Sequence, residues 1–202
     1  MEIIDKDAKS LTVALSLPSN FTIRNAVLSD AQAMAGVTFE SWQTAFSEFL
    51  PQEVLEKGTL DFFENIWHAM LAKPKKHSAV LLCDGSKIIA CGTAGAYRNL
   101  HNPVSRKVCK LNAAELYRGY VLPSYQNKGI GQALLKARLL KLHEQGYHKA
   151  YTWIYAKNIR ACMFYEKYGA VNLDRALGLT MNKYPFDEVC YGIEVESVFN
   201  FT

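Results

Sequence analysis

The stretch Tyr125-Gln126-Asn127-Lys128-Gly129-Ile130-Gly131 is the most informative in the chain, because a strand-like apolar run leads into it and a helical pattern leads out of it. A helix leaves its first backbone N–H groups unpaired, and its dipole favours negative charge at that end. The glycines at 129 and 131 let a ligand approach the backbone with no Cβ in the way. The stretch therefore predicts a phosphate-binding turn at the start of a helix.

Three phosphate-binding motifs compete for this turn. A Walker P-loop needs G-x-x-x-x-G-K-[ST], and the chain contains no such run. A dinucleotide fingerprint needs G-x-G-x-x-G, but Leu134 stands where its third glycine belongs. A third pattern, Q-x-x-G-x-G, is met by Gln126, Gly129 and Gly131. Because such a turn also serves merely to start a helix, the rest of the chain must decide.

Composition limits the class of protein. The chain has 202 residues, of which 50% are hydrophobic and 21% charged, as in one globular domain. No apolar run approaches the ~20 residues of a membrane span, so we expect no membrane association. Five cysteines, an odd number without C-x-x-C spacing, predict a reduced, cytoplasmic protein. Five scattered histidines, without a helical H-x-x-x-H pair, predict no metal site.

Positive charge is concentrated in one segment. The net charge is +4, yet residues 126–168 hold eight basic and two acidic residues and so carry +6. Such a field suits a polyphosphate ligand, although solvated helix faces account for many such lysines. No helix-turn-helix, zinc finger or aromatic RNA-binding motif is present, so we expect no nucleic acid partner.

Hydrophobic periodicity predicts the order β-α-α-β-β-β-α-β-α-β-β in one α+β or mixed α/β domain. Ser29 is expected to cap the first helix, and a second helix to run from Pro51 to about Leu71. Asp84-Gly85 predicts a hairpin turn. The last two strands are expected at 170–179 and 189–196.

Residues 1–20 are predicted to form an N-terminal arm or extra strand ahead of a single domain at 21–198. Large apolar residues alternate with Thr12, Ala14 and Ser16 from Leu11 to Leu17, which is strand periodicity, and Pro18 ends the run. Such a strand can pack on its own domain or on a second copy in a homodimer. The acidic start disfavours the alternative, a secretory signal.

A second segment makes the interpretation specific. Asn158 to Ala170 resembles the N-x-x-A-x-x-x-Y-x-x-x-G-F segment of GNAT-type N-acetyltransferases, with Ala170 in place of Phe. It follows the turn at 126–131 by about thirty residues, and that turn resembles the family's acyl-CoA pyrophosphate loop. The segment 115–123 resembles the strand before that loop, although Gly119 stands where a large apolar residue is common.

The resemblance implies both a fold and a reaction. The fold would be a central, mostly antiparallel mixed sheet with a V-shaped splay between strands 4 and 5 and helices on both faces. The reaction would move an acetyl group from acetyl-CoA to a primary amine, on a small molecule or peptide, by direct attack and without a metal. The alternative is a non-catalytic acyl-CoA-binding or sensor module on the same fold.

The resemblance also assigns the donor site. The loop backbone would cradle the pyrophosphate, the strand before it would offer backbone groups to the pantetheine arm, and Asn158 would both cap its helix and touch that arm. The expected cofactor-binding residues are Tyr120, Val121, Gln126, Asn127, Lys128, Gly129, Ile130, Gly131 and Asn158.

Two residues are the catalytic candidates. Tyr165 is expected to protonate the leaving thiolate, against the alternative of packing in the core. Glu115 is the candidate base, against a solvated strand end or a route through water and backbone groups. Cys162 is interpreted as a small buried residue rather than a ping-pong nucleophile. The candidates to border the acceptor pocket are Glu40, Trp42 and Gln43.

Overall fold

The computed structural model describes residues 20–73, 77–98, 112–181 and 183–200, so the predicted arm lies outside it except for residue 20. In these ranges the strands are β1 Phe21–Asn25, β2 His77–Asp84, β3 Lys87–Ala96, β4 Ala113–Val121, β5 Lys149–Tyr155, β6 Val171–Met181 and β7 Tyr184–Glu194. The helices are α1 Ala31–Phe46, α2 Gln52–Leu55, α3 Leu60–Leu71, α4 Ile130–Glu144 and α5 Ile159–Lys167, with 3₁₀ turns at Leu28–Asp30, Pro123–Tyr125 and Val195–Asn200. The predicted element order is confirmed, apart from one divided helix.

One mixed sheet carries the fold, with strand order β1-β2-β3-β4-β5-β7-β6. Neighbouring strands are antiparallel except β4 and β5, which are parallel. Their pairing runs only from Ala113 opposite Lys149 to Glu115 opposite Tyr151. Because both strands continue beyond these pairs, they diverge and leave the predicted V-shaped splay between them.

Helices cover both faces of the sheet. Side chains alternate along a strand, so neighbouring positions report on opposite faces. Cys91 in β3 lies with its Sγ 3.9 Å from the carbonyl oxygen of Met34 in α1. The next residue, Gly92, faces Arg138 of α4, since a Cβ there would lie 2.9 Å from the Arg138 Cδ. This arrangement confirms the predicted α+β class.

The predicted second helix is two helices. It breaks at Gly58, where a Cβ would lie 2.7 Å from the Trp42 Nε1, so the backbone there is pressed against the indole. Thr59 then restarts the chain as an N-cap, its hydroxyl accepting a hydrogen bond from the Phe62 N–H at 3.1 Å. The sequence analysis predicted one continuous helix because the helical periodicity of α3 continues that of α2.

Two further boundaries differ from expectation. Ser29 is not the cap of α1, because Asp30 occupies that position and its carboxylate accepts from the Val27 N–H at 2.8 Å. β7 begins at Tyr184, five residues before the predicted start, and includes Pro185. Proline has no N–H to donate to a neighbouring strand. It is tolerated at position 185 because β5 pairs with β7 only from Glu188 onward, so at Pro185 β7 has only β6 as a neighbour.

Candidate active site

The loop between β4 and α4 has the backbone geometry of an anion site. Asn127 and Gly129 both adopt left-handed conformations, with φ of +59° and +79°. Gly129 is the N-cap of the 15-residue α4 and has no side chain that could cap the helix. The N–H groups of Ile130 and Gly131 lie in the first turn of α4, where a helix has no internal acceptor for them, and this is the geometry of helix-terminal anion sites.

The two glycines of the loop have different roles. A Cβ on Gly129 would meet nothing within 4 Å, so this position is open to an approaching ligand. A Cβ on Gly131 would lie 3.2 Å from the Cε2 atom of Phe164. The structure therefore explains Gly131 through close packing of α4 against α5, a contact that the motif does not reveal.

Gln126 ties the loop to its surroundings. Its Nε2 donates to the carbonyl oxygen of Val121 at 3.1 Å, and its Oε1 accepts from Arg160 at 3.1 Å. The Ser41 hydroxyl also donates to the Val121 carbonyl, at 3.0 Å. Both lone pairs of that carbonyl are used, so it has none left for a pantetheine arm.

The remaining loop and strand residues are placed as follows. Lys128 is exposed, with its Nζ 5.6 Å from the ring centre of Tyr125. Tyr120 directs its half-buried ring toward Trp67, and its hydroxyl is 3.4 Å from the Arg118 guanidinium. The side chain of Tyr120 is therefore engaged with Trp67 and Arg118.

Helix α5 carries the second predicted group of residues. Asn158 caps it, as expected, by accepting from the Ala161 N–H at 3.1 Å. Tyr165 is half-buried, and its hydroxyl oxygen lies 3.4 Å from an Nη of Arg138. Burial raises the pKa of the Cys162 thiol, so the thiolate that a ping-pong mechanism needs is disfavoured.

A β-bulge lies where β4 leaves β5. Thr93 pairs with Arg118 and the next residue, Ala94, pairs with Leu116, so Tyr117 is the extra residue in β4. Bulges redirect the strand and its groups, and they are frequent beside active sites. This bulge begins just past Glu115, the last residue of β4 that pairs with β5.

Glu115 is a buried carboxylate that forms an ion pair with the partly exposed Arg98. Its side chain is 3% exposed, and its Oε2 accepts from the backbone N–H of Arg98 at 3.0 Å and from Nε at 3.2 Å. Its Oε1 accepts from the Arg98 Nη2. The guanidinium also lies 4.1 Å from the ring centre of Tyr117, whose pKa is raised to about 12 by burial and by the Glu115 carboxylate. Arg98 carries no sequence motif, so its part in the site was missed.

Aromatic residues gather on the other side of the splay, where β5 ends. We name Trp42, Phe46, Phe49, Tyr155 and Phe186 the aromatic cluster. Tyr155 stacks between Phe49 and Phe186, with ring centres 5.0 and 5.4 Å away. Trp42 joins through Phe46, at 4.3 Å.

The other two acceptor-pocket candidates lie beside this cluster. Glu40 is exposed, and Gln43 donates to the Leu55 carbonyl at 3.4 Å. A cavity of about 450 Å³ adjoins the cluster. Its lining residues are Glu53, Val54, Lys57, Lys183 and Tyr184.

Comparisons with known proteins agree with this geometry. The uncharacterized N-acetyltransferase YuaI of Bacillus subtilis (strain 168) is 28% identical over 147 residues, or 73% of this chain and 78% of YuaI. The PaiA N-acetyltransferase of Thermoplasma acidophilum, solved in complex with coenzyme A, has a TM-score of 0.66 at 19% identity, covering 84% of this chain and 97% of its own. The ribosomal-protein-S18-alanine N-acetyltransferase of Escherichia coli has a TM-score of 0.61 at 17% identity, covering 87% and 94%.

The Acetyltransferase (GNAT) family profile matches residues 39–170, from α1 to the end of the α5 segment. This range includes the loop, the splay and both catalytic candidates. The chain therefore belongs to the GNAT family of acetyltransferases and is an acyltransferase enzyme.

Proposed function

We propose that this enzyme transfers an acetyl group from acetyl-CoA to a primary amine on a small molecule or peptide, by direct attack of the neutral amine. The observation that carries the proposal is the N-terminus of α4 at Gly129, which follows the β4 arm of the splay after a short segment with one 3₁₀ turn. The pyrophosphate would bind N–H groups in the first turn of α4, and the pantetheine arm would run into the splay beside β4. Asn158, Gln126 and Lys128 would complete this donor site.

Tyr165 is proposed as the acid. Breaking the thioester leaves negative charge on sulfur, and a positioned O–H group can neutralise it. The Tyr165 hydroxyl accepts a hydrogen bond from Arg138, so its own proton remains available for donation elsewhere.

The attacking amine must also lose a proton to an acceptor. A free alkylamine has a pKa of about 10.4, so it must lose a proton before or during the attack. Both oxygens of Glu115, the predicted base, accept hydrogen bonds from Arg98, which favours the alternative route through water over direct proton abstraction by Glu115.

The acceptor class is proposed only as a primary amine. The cavity beside the aromatic cluster is lined by one carboxylate, on Glu53, and two ammonium groups, on Lys57 and Lys183. An acidic lining would have suited polyamines, and this mixed one does not select them. A peptide amine also fits the family, since the Escherichia coli neighbour is a ribosomal-protein-S18-alanine N-acetyltransferase.

A reducing compartment such as the cytoplasm is proposed as its location. The four described cysteines are buried and free of disulfides, which suits such a compartment. They are Cys83, Cys91, Cys162 and Cys190. In the described ranges, no helix has both the length and the apolar character needed to cross a bilayer.

The test is release of free thiol from acetyl-CoA in the presence of an amine panel. The panel contains polyamines, amino acids, aminoglycosides and peptides with free N-termini, and a reaction without amine measures hydrolysis. Amine-dependent thiol release, with acetylated product seen by mass spectrometry, is the expected result. Binding of CoA without transfer to any amine would instead favour the acyl-CoA-binding module.

A further inference from the structure

Arg138 is a buried cation that has no counterion among the described residues. It lies on α4, is 3% exposed, and donates from Nη1 to the Arg118 carbonyl at 3.0 Å. Among the residues that the structure describes, no carboxylate forms an ion pair with it, and its Nε has no hydrogen-bond partner. A buried charge without an opposite charge beside it is strongly destabilising, so packing alone does not explain an arginine at this position.

Two glycines make room for this guanidinium. Gly92 in β3 pairs with Gly119 in β4. A Cβ on Gly119 would lie 3.0 Å from both Nη atoms of Arg138, and one on Gly92 would lie 2.9 Å from its Cδ. Gly119 is one of the positions where the sequence departs from the family pattern, and the arginine fills the space that the usual large apolar side chain would occupy.

The guanidinium lies beside Tyr165 and the bulge of β4, away from the N-terminus of α4 where the pyrophosphate is proposed to bind. Arg138 is eight residues past Ile130, about 12 Å along α4 from the helix N-terminus. Its level in the sheet is that of residues 118 and 119, beside the bulge at Tyr117. The group that its other Nη contacts is the hydroxyl of Tyr165, at 3.4 Å.

We propose that Arg138 is a positioning residue, which holds the Tyr165 phenol and stabilises the phenolate left when Tyr165 protonates the leaving sulfur. This inference rests on the proposed function. The amine nitrogen bonds to the acetyl carbon, the C–S bond breaks, and its electron pair goes to sulfur. Sulfur takes the proton from the Tyr165 Oη, the surplus proton of the amine leaves to water, and water later reprotonates the phenolate. A guanidinium within hydrogen-bond distance stabilises that phenolate throughout.

A double-mutant cycle between Arg138 and Tyr165 tests this inference. We expect Arg138→Met to lower kcat about tenfold, with the KM for acetyl-CoA changed less than twofold. In the Tyr165→Phe background the same substitution should change kcat less than twofold, because the hydroxyl through which it acts is gone. Arg138→Lys should recover most of the activity.

The controls separate catalysis from packing. Lys141→Met removes a cation from the same helix, three residues on, and should leave kcat unchanged. Thermal unfolding of each variant reports folding, and Arg138→Gln replaces Arg138→Met in the cycle if that variant does not fold. An equal loss of kcat in both backgrounds, or no loss in either, would overturn the inference. Wild-type protein that turns over no amine would overturn the proposed function instead.

Discussion

The two sides of the splay are built in different ways. The proposed donor side consists of main-chain groups on a short stretch of sequence, namely the loop at 126–129 and the start of α4. For the acceptor side we propose the aromatic cluster, whose members come from α1, from the segment after it, from β5 and from β7. A main-chain site depends on local conformation, so it leaves a motif. A site made by distant side chains leaves only isolated aromatic residues, each of which is expected in any core.

The largest expected effect lies on the donor side, in the chemical step. Tyr165→Phe keeps the ring and removes the hydroxyl, so we expect kcat to fall about 100-fold. The KM for acetyl-CoA should stay within about twofold of wild type, because the ring packing is preserved. Steady-state kinetics at saturating amine measures both.

Tyr168→Phe is the matched control for this prediction. Tyr168 lies one turn further along, is half-buried, and packs with its ring centre 5.1 Å from that of Phe164. Removal of its hydroxyl should leave kcat within about twofold of wild type. Equal activity of both variants and the wild type would mean that the proton reaches sulfur by another route.

The second effect concerns binding of the donor. Gly129→Val places a Cβ where the backbone is proposed to meet the pyrophosphate, so we expect the Kd for CoA to rise about tenfold, as measured by calorimetry. Valine at a φ of +79° also strains the backbone by about 1–2 kcal/mol, which must be separated from the binding effect.

Gly146→Val supplies that separation. Gly146 ends α4 with a φ of +80°, and a Cβ there also meets nothing within 4 Å. Both variants should lose a similar free energy of unfolding in urea, while only Gly129→Val weakens CoA binding. Equal affinities in the two variants would remove the loop from the donor site.

Features formed by neighbouring residues could be predicted from the sequence, whereas features formed by distant residues could not. The element order and the cap at Asn158 were predictable, because periodicity and a capping side chain act locally. The splay was predicted only through the resemblance to the GNAT family. The ion pair from Arg98 to Glu115 was not predictable, since it joins positions 17 apart without any pattern. For Arg138, the sequence offers one indication, which is the absence of a side chain at Gly119. Only the fold shows that the Arg138 guanidinium occupies the space left by that side chain.

The acceptor side should respond to substitution in a different kinetic parameter. Phe49→Leu removes the stacking partner of Tyr155, and a lost aromatic pair costs about 1 kcal/mol. We expect the KM for the amine to rise about fivefold, with the KM for acetyl-CoA unchanged. Phe62→Leu, at a 51% exposed position on α3, is the control and should change neither. A change in the KM for acetyl-CoA alone would assign the aromatic cluster to the donor side.

The smallest effect on turnover is expected at Glu115, whose carboxylate forms an ion pair with Arg98. Glu115→Gln removes the negative charge opposite Arg98 and places the buried NH₂ group of the glutamine against the N–H donors of Arg98. The free energy of unfolding should therefore fall by roughly 2 kcal/mol. Because the carboxylate is already occupied, kcat should fall less than about threefold once the variant is folded. Urea unfolding and kinetics at a temperature where the variant is fully native measure the two quantities separately. A fall in kcat of about 100-fold in a fully folded variant would restore Glu115 as the base, and would mean that Arg98 moves away when substrates bind.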